Sequence, residues 1–236
     1  MNESIKKPSW FLHFTEVFRA IVETFKGYFF IKKKGYKNIG RGIPVMVVPG
    51  LLSTDWATTI LRKFLQKSGF AVQGWEMGMN LGRMKSLEDL RVKVEKLSET
   101  TGQKVILIGW SMGGIFSREV AKQLPEKVRC LITVGSPFAN IQAPNHAKWI
   151  FNLLNNEADI DADFTAQLPV PAIVPTLCLY SKKDGIVPWQ ACKENFEDAL
   201  HESREVRSSH FGMGANPAVL QEIGDYLKLF LKKEVV

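Results

Sequence analysis

Five residues, Gly109-Trp110-Ser111-Met112-Gly113, stand between the apolar run Val105-Ile106-Leu107-Ile108 and a segment with helical periodicity, and this junction constrains the fold more than any other feature of the chain. A buried strand that passes into a helix within one tight turn needs small residues on both sides of the apex, where the backbone is strained and the helix lies close to the strand. Gly109 and Gly113 flank Ser111 at two positions either side, and Gly114 adds further freedom. A serine at such an apex exposes Oγ, which becomes a nucleophile once an adjacent base takes its proton. Ser111 is the candidate nucleophile.

The alternation continues along the chain. Strand patterns cover residues 43–48, 70–75, 128–134 and 174–180, and a last short strand is expected at 205–208. Between them, Ser53-Thr54-Asp55 offer caps for a helix over 56–67 that Gly69 ends. Ser86 caps a helix with Asp89 in its first turn, ending near Gly102, and further helices are expected over 112–124 and 220–231. Strands alternating with helices imply a mostly parallel sheet of about six strands, covered on both faces. With 236 residues, 45% of them hydrophobic, the chain can bury one sizeable core, and no second globular domain is needed. The rhythm breaks over residues 136–175, where five prolines surround short helical patterns near 147–154 and 163–168. This segment reads as a lid-like insertion whose Lys148, Trp149, Ile150, Phe151, Leu153 and Leu154 supply an apolar surface.

No metal or cofactor is called for. Asp159, Asp161 and Asp163 alternate as a calcium loop would, but the turn glycine and the closing glutamate are missing. Cys130, Cys178 and Cys192 are odd in number, lack CxxC spacing and fall in apolar or helical runs, which suits core packing in a reducing compartment.

A serine nucleophile needs an imidazole, and the imidazole needs an acid that fixes its tautomer and stabilises its charged form. His13 lies in an N-terminal helical stripe, His146 in the insertion and His201 at the end of a helical pattern. His210, in the loop Ser208-Ser209-His210-Phe211-Gly212, follows the last expected strand and is the preferred base, with His201 its rival. Asp184 follows the strand over 174–180 and is the candidate acid, although an aspartate before Gly185 also suits a plain turn. Each of the three candidates follows a separate strand at the sheet's carboxyl edge. Charge building on a substrate oxygen calls for two backbone donors. Met112 N–H is one, and the loop Pro49-Gly50-Leu51-Leu52 supplies the other, Leu51 first and Leu52 as fallback. Leu52, Trp110, Trp149 and Phe211 are the expected substrate contacts.

Together, Val47-Val48-Pro49-Gly50-Leu51-Leu52, Gly109-Trp110-Ser111-Met112-Gly113-Gly114 and Val134-Gly135-Ser136-Pro137 resemble the α/β-hydrolase superfamily, most of all its small bacterial lipases and carboxylesterases. The resemblance runs from residue 43 to the C-terminal helix. It implies an α/β-hydrolase fold and ester hydrolysis through an acyl-enzyme, with Ser111, Asp184 and His210 as triad and Leu51 and Met112 as oxyanion donors. Pro49 stands where many relatives carry histidine, which bears on loop geometry more than on chemistry. The two leading antiparallel strands of larger members have no counterpart, so a compact core is expected.

Residues 1–42 fall outside the resemblance. They hold nine of the chain's 31 lysines and arginines but three of its 24 acidic residues, so the net charge of +7 is concentrated there. No nucleic-acid motif accompanies it. Phe14, Phe18, Ile21, Phe25 and Phe29 recur at helical spacing, widened by Trp10, Val17, Val22 and Tyr28, against a narrower face of His13, Glu16, Arg19, Glu23 and Lys26. Charges interrupt the stretch too often for a bilayer span or a secretory signal. Its wide apolar face suits packing on the domain or an interfacial membrane position, and Lys32-Lys33-Lys34 favours anionic lipid. The expected organisation is a basic amphipathic segment over 1–42 and a hydrolase domain over 43–236, cytoplasmic and peripheral on the inner membrane face. The expected substrate is a medium or long acyl-chain lipid ester. An acyl thioesterase or acyltransferase is the alternative, and an idle binding protein is disfavoured because serine, acid and histidine are all present.

Overall fold

A computed structural model of the chain describes residues 5–33, 36–146, 162–196 and 198–234. Six strands form one parallel sheet: β1 (Pro44–Val48), β2 (Ala71–Gly74), β3 (Val105–Trp110), β4 (Val128–Val134), β5 (Thr176–Tyr180) and β6 (His201–Glu205), in the order β2-β1-β3-β4-β5-β6. The helices are α1 (Trp10–Lys33), α2 (Thr59–Lys67), α3 (Met84–Thr101), α4 (Met112–Gln123), α5 (Ala162–Gln167) and α6 (Pro217–Lys233). This is the α/β-hydrolase fold, and its sheet has the predicted strand number and direction.

The central strands are apolar on both faces because both faces are covered. Every residue of β1 and β3 is buried. On one face, Val45, Val47, Ile106, Ile108, Ile132 and Leu177 pack against Leu61, Phe64 and Leu65 of α2 and Val219, Leu220 and Ile223 of α6. On the other, Met46, Val48, Leu107 and Leu131 meet Leu87, Leu90 and Val94 of α3 and Ile115, Phe116 and Val120 of α4. The three cysteines are buried and unpaired, and burial pushes the Cys178 thiol up to about 12.

Three boundaries differ from expectation. The last strand is not at 205–208 but at His201–Glu205, pairing from Thr176↔His201 to Tyr180↔Glu205. It is an edge strand, paired on one side only, so its His-Glu-Ser-Arg-Glu sequence carries no apolar run. His201 accordingly opens a strand and does not end a helix; before it, Trp189–Cys192 forms a 3-10 turn. Ser86 does not cap α3, which begins at Met84 after an extended Arg83. Asn216 caps α6 through Ala218 N–H, with Pro217 at the first helical position, so that helix starts earlier than its apolar periodicity suggests. Thr54 caps the 3-10 turn Asp55–Thr58 that leads into α2, and Gly102 closes α3 in the left-handed conformation.

The N-terminal helix is seated the opposite way round from a simple amphipathic packing. Glu16, Gly27 and Ile31 are its buried residues, whereas Trp10, Phe11, Phe14, Val17, Phe18, Ile21, Phe25, Tyr28 and Phe29 are all exposed, Phe14 at 76%. The apolar stripe therefore does not pack on the domain; the narrow polar face does. The first half of α1 crosses the loops that follow β5 and β6, through contacts given below. Its second half runs beside α2 and α6, where Lys67 Nζ caps the Ile31 carbonyl at 2.5 Å. Among the described residues no helix is long and apolar enough to cross a membrane.

Candidate active site

β3 delivers Ser111 to the carboxyl edge of the sheet in a conformation few residues adopt, with φ +54° and ψ −122°. Ser111 N–H donates to Val134 O at 2.8 Å, which ties the apex to the end of β4. Gly113 has to be glycine because a Cβ there would collide with the carbonyl groups of Val48 and Pro49. The tight strand-to-helix packing read from the sequence is thus a backbone contact.

The structure brings Ser111, His210 and Asp184 together. Ser111 Oγ lies 3.0 Å from His210 Nε2, and His210 Nδ1 lies 2.6 Å from Asp184 Oδ2. Asp184 spends its other oxygen on Ile186 N–H at 2.8 Å and Val187 N–H at 2.9 Å, so the carboxylate cannot rotate freely. His210 is 3% exposed. Burial pulls the imidazole's pKa down, but the charge and hydrogen bond of Asp184, with a contribution from the charge of Glu16, push it up, and the upward causes win. Such a chain can take a proton from a hydroxyl and hold the resulting imidazolium.

His201, the rival base, sits at the amino end of β6, away from Ser111. Its Nδ1 lies 2.9 Å from Asp198 Oδ1 and its Nε2 2.8 Å from Ala172 O, so it fastens a loop. His146 stacks on His13 of α1 at 4.1 Å and faces Pro8 O at 3.1 Å; burial lowers its pKa.

The loop after β1 is held by a residue that the sequence reading missed. Asn80 is fully buried in the Gly- and Met-rich connection before α3. Its Nδ2 donates to Pro49 O at 2.8 Å, its N–H to Ser53 O at 3.0 Å, and its carbonyl accepts Leu52 N–H at 2.7 Å. Leu52 N–H is therefore engaged, which removes the fallback donor and leaves Leu51 N–H as the candidate from this loop. Met112, in the first turn of α4, has an N–H without an intrahelical acceptor, as helix geometry requires. Asn80 supplies the bracing that Pro49 has no side-chain donor to give.

The expected substrate contacts divide. Leu52 and Phe211 are exposed at 42% and 47%, beside the candidate oxyanion loop and the candidate base. Trp110 does not line a pocket: it is buried, and its indole N–H donates to His210 O at 3.1 Å because even-numbered residues of β3 face the α2/α6 side of the sheet. Trp149, with the rest of 147–161 including Asp159 and Asp161, lies outside the described residues. Glu16 and Glu23 were read only as part of a polar stripe, yet both carboxylates reach the loops of the site. Nothing in helical periodicity distinguishes a solvated carboxylate from a docked one.

A family model described as the alpha/beta hydrolase fold matches residues 82–169. Solved structures share the fold at low identity. A Paleococcus ferrophilus monoacylglycerol lipase is 17% identical with a TM-score of 0.57, over 80% of this chain and 96% of the other. The Pyrococcus furiosus esterase Pf2001 is 16% identical with a TM-score of 0.58, over 83% and 84%. A structure reported with LipS and LipT, two metagenome-derived lipolytic enzymes, is 17% identical with a TM-score of 0.62, over 82% and 95%. A search of curated proteins gave no match.

Proposed function

We propose that this protein is a serine hydrolase that cleaves carboxylic esters through an acyl-enzyme, with Ser111 as nucleophile, His210 as base and Asp184 as the acid that orients it. The observation that carries the reading is the unbroken hydrogen-bond chain from Ser111 Oγ through His210 to Asp184, on a serine held at φ +54°. The lipases and esterases of the same fold lend it support. In this mechanism His210 takes the Ser111 proton as Oγ adds to the ester carbonyl, and the N–H groups of Leu51 and Met112 hold the oxyanion. His210 then protonates the departing alcohol, and water attacks the acyl-enzyme by the same route. Each oxyanion donor contributes roughly 3–4 kcal/mol to the transition state.

The substrate class follows from the helix that flanks the site. An outward stripe of aromatic side chains, bordered by Lys7 over Trp10 and Lys32 over Tyr28, matches an anionic membrane interface, with rings at headgroup depth and lysines toward the phosphates. We take residues 1–42 as the membrane-facing segment, residues 136–175 as the cover of the acyl site, and a medium or long acyl-chain lipid ester as the substrate. The test is hydrolysis of p-nitrophenyl esters from acetate to palmitate beside Ser111→Ala and Asp184→Asn, on free substrate and on anionic vesicles. Ser111→Ala should abolish turnover and Asp184→Asn lower it roughly 10⁴-fold, with longer chains preferred on vesicles. Wild-type activity in Ser111→Ala removes the nucleophile, and activity confined to acyl thioesters moves the substrate class.

A further inference from the structure

Glu16 is 1% exposed on a helix that precedes the whole sheet in sequence, and both of its oxygens are spent on the candidate site. Oε1 accepts Gly185 N–H at 2.7 Å, and Oε2 accepts Phe211 N–H at 3.2 Å. Gly185 is the residue after Asp184, and Phe211 is the residue after His210. A single carboxylate therefore bridges the two loops that must stay in register for the acid and base to meet.

Other contacts reinforce the bridge. Arg19, one turn on, pairs with Glu16 at 2.7 Å and donates to the carbonyl of Lys183, the residue before Asp184, at 2.7 Å. Two turns on, Glu23 accepts Ser209 N–H at 3.0 Å and the hydroxyls of Ser208 at 2.9 Å and Ser209 at 2.8 Å, so the residues immediately before His210 are held too. Gly185 permits the approach: a Cβ there would stand 2.5 Å from the backbone carbonyl of Leu12. A buried carboxylate is costly unless its lone pairs are met by donors, and here those donors are the backbone N–H groups of the two loops together with Arg19.

We propose that Glu16 is a positioning residue of this site, its carboxylate tying the acid loop to the base loop and adding negative charge behind the imidazole, so that α1 is a working part of the site as well as its neighbour. The charged groups facing His210 among the described residues are Asp184 from the loop after β5, and Glu16 with its partner Arg19 from α1; Glu23 acts one residue away through Ser209. Glu16 is among the causes that raise the His210 pKa. Loss of its charge, with Asp184 intact, therefore lets burial pull the imidazole down. This inference rests on the proposed triad for its kinetic consequence but not for its electrostatic one.

The test is Glu16→Gln, read in two ways in the full chain. NMR titration of the His210 ring should show its pKa lowered, whatever the substrate. Turnover per serine labelled by a fluorophosphonate should fall about 10- to 100-fold, as misplacement of a reacting group by about 1 Å can do, with the acid limb of kcat/KM moved to lower pH. Glu16→Asp keeps the charge but is too short to bridge both N–H groups, so it should lose rate while the limb stays nearer wild type. A merely structural Glu16 would lower the melting temperature and the labelled fraction without moving either titration. Unchanged His210 titration and unchanged turnover per labelled serine in Glu16→Gln overturn the proposal. If Glu16→Gln does not fold, Gly27→Ala decides: its Cβ would collide with Ala215 O and lift α1 while leaving Glu16 in place, and wild-type titration and turnover there overturn the proposal equally. Absence of Ser111-dependent turnover in the wild type, with the His210 shift still present in Glu16→Gln, counts against the proposed reaction and not against the bridge.

Discussion

The indole N–H of Trp110 donates to the carbonyl oxygen of His210 at 3.1 Å, joining the residue before the nucleophile to the base one hundred positions later. The same carbonyl also accepts Met213 N–H at 3.3 Å, so it keeps a partner if the indole is lost. Trp110→Phe should therefore cost about 1 kcal/mol in urea unfolding and loosen the base loop, read as slower fluorophosphonate labelling of Ser111. Labelling at the wild-type rate would show that Met213 and the α1 contacts hold the loop without Trp110.

Asn80 offers a sharper separation of binding from catalysis. Asn80→Ala strips Pro49 O and Gly82 N–H of their side-chain partners in a buried loop, a loss of about 1–3 kcal/mol of stability. Because the loop carries the candidate oxyanion donor, kcat should fall while KM changes little. A rise in KM at constant kcat would assign the loop to substrate binding and take Leu51 out of the oxyanion site.

The pH dependence follows from the raised pKa of His210. Burial acts to lower it, and Asp184, with Glu16, more than reverses that, so the imidazole keeps its proton to higher pH than a free one. As a base it must be neutral, which puts the acid limb of kcat/KM above the ordinary imidazole value. Stability runs the other way. A raised folded-state pKa contributes stability that is fully present below the unfolded pKa and is lost as pH rises through the folded one. The melting-temperature gap between wild type and Asp184→Asn should accordingly be larger near about pH 6 and shrink toward about pH 9. A gap that grows with pH would contradict the sign.

Arg118 is fully buried and pairs with Glu194 at 2.5 Å, while its other donors hold the carbonyls of Leu168, Pro169 and Val170 and its guanidinium lies 4.0 Å from the Phe138 ring. Glu194→Gln leaves a buried cation without its counter-charge, at about 3–5 kcal/mol. Denaturant midpoints would register the loss. A change of less than about 1 kcal/mol would mean that the three carbonyls suffice to neutralise Arg118.

What the sequence disclosed depended on whether burial left a periodic mark. β1, β3 and β4 carry apolar runs because both faces of the sheet are covered, and the Gly109–Gly113 spacing is demanded by backbone contact, so these could be read directly. β6 could not, since a polar edge strand whose job is to deliver the 206–216 loop has no apolar signature. Ser111, Asp184 and His210 were legible from strand order. Asn80 and Glu16 were not, because what they meet are main-chain groups of other loops, and main-chain groups leave no trace in side-chain pattern. The N-terminal stripe shows the limit most plainly: periodicity revealed two faces and could not say which one the domain would claim.

Ser111 keeps a left-handed φ of +54° that side-chain-bearing residues avoid, a conformation that costs on the order of 1–3 kcal/mol. A glycine occupies that region freely, so the inert Ser111→Gly protein should melt above the equally inert Ser111→Ala protein, which retains the Cβ. Selection for thermal robustness alone would thus erode this position toward glycine, and the hydroxyl persists there only as long as something other than robustness is being selected.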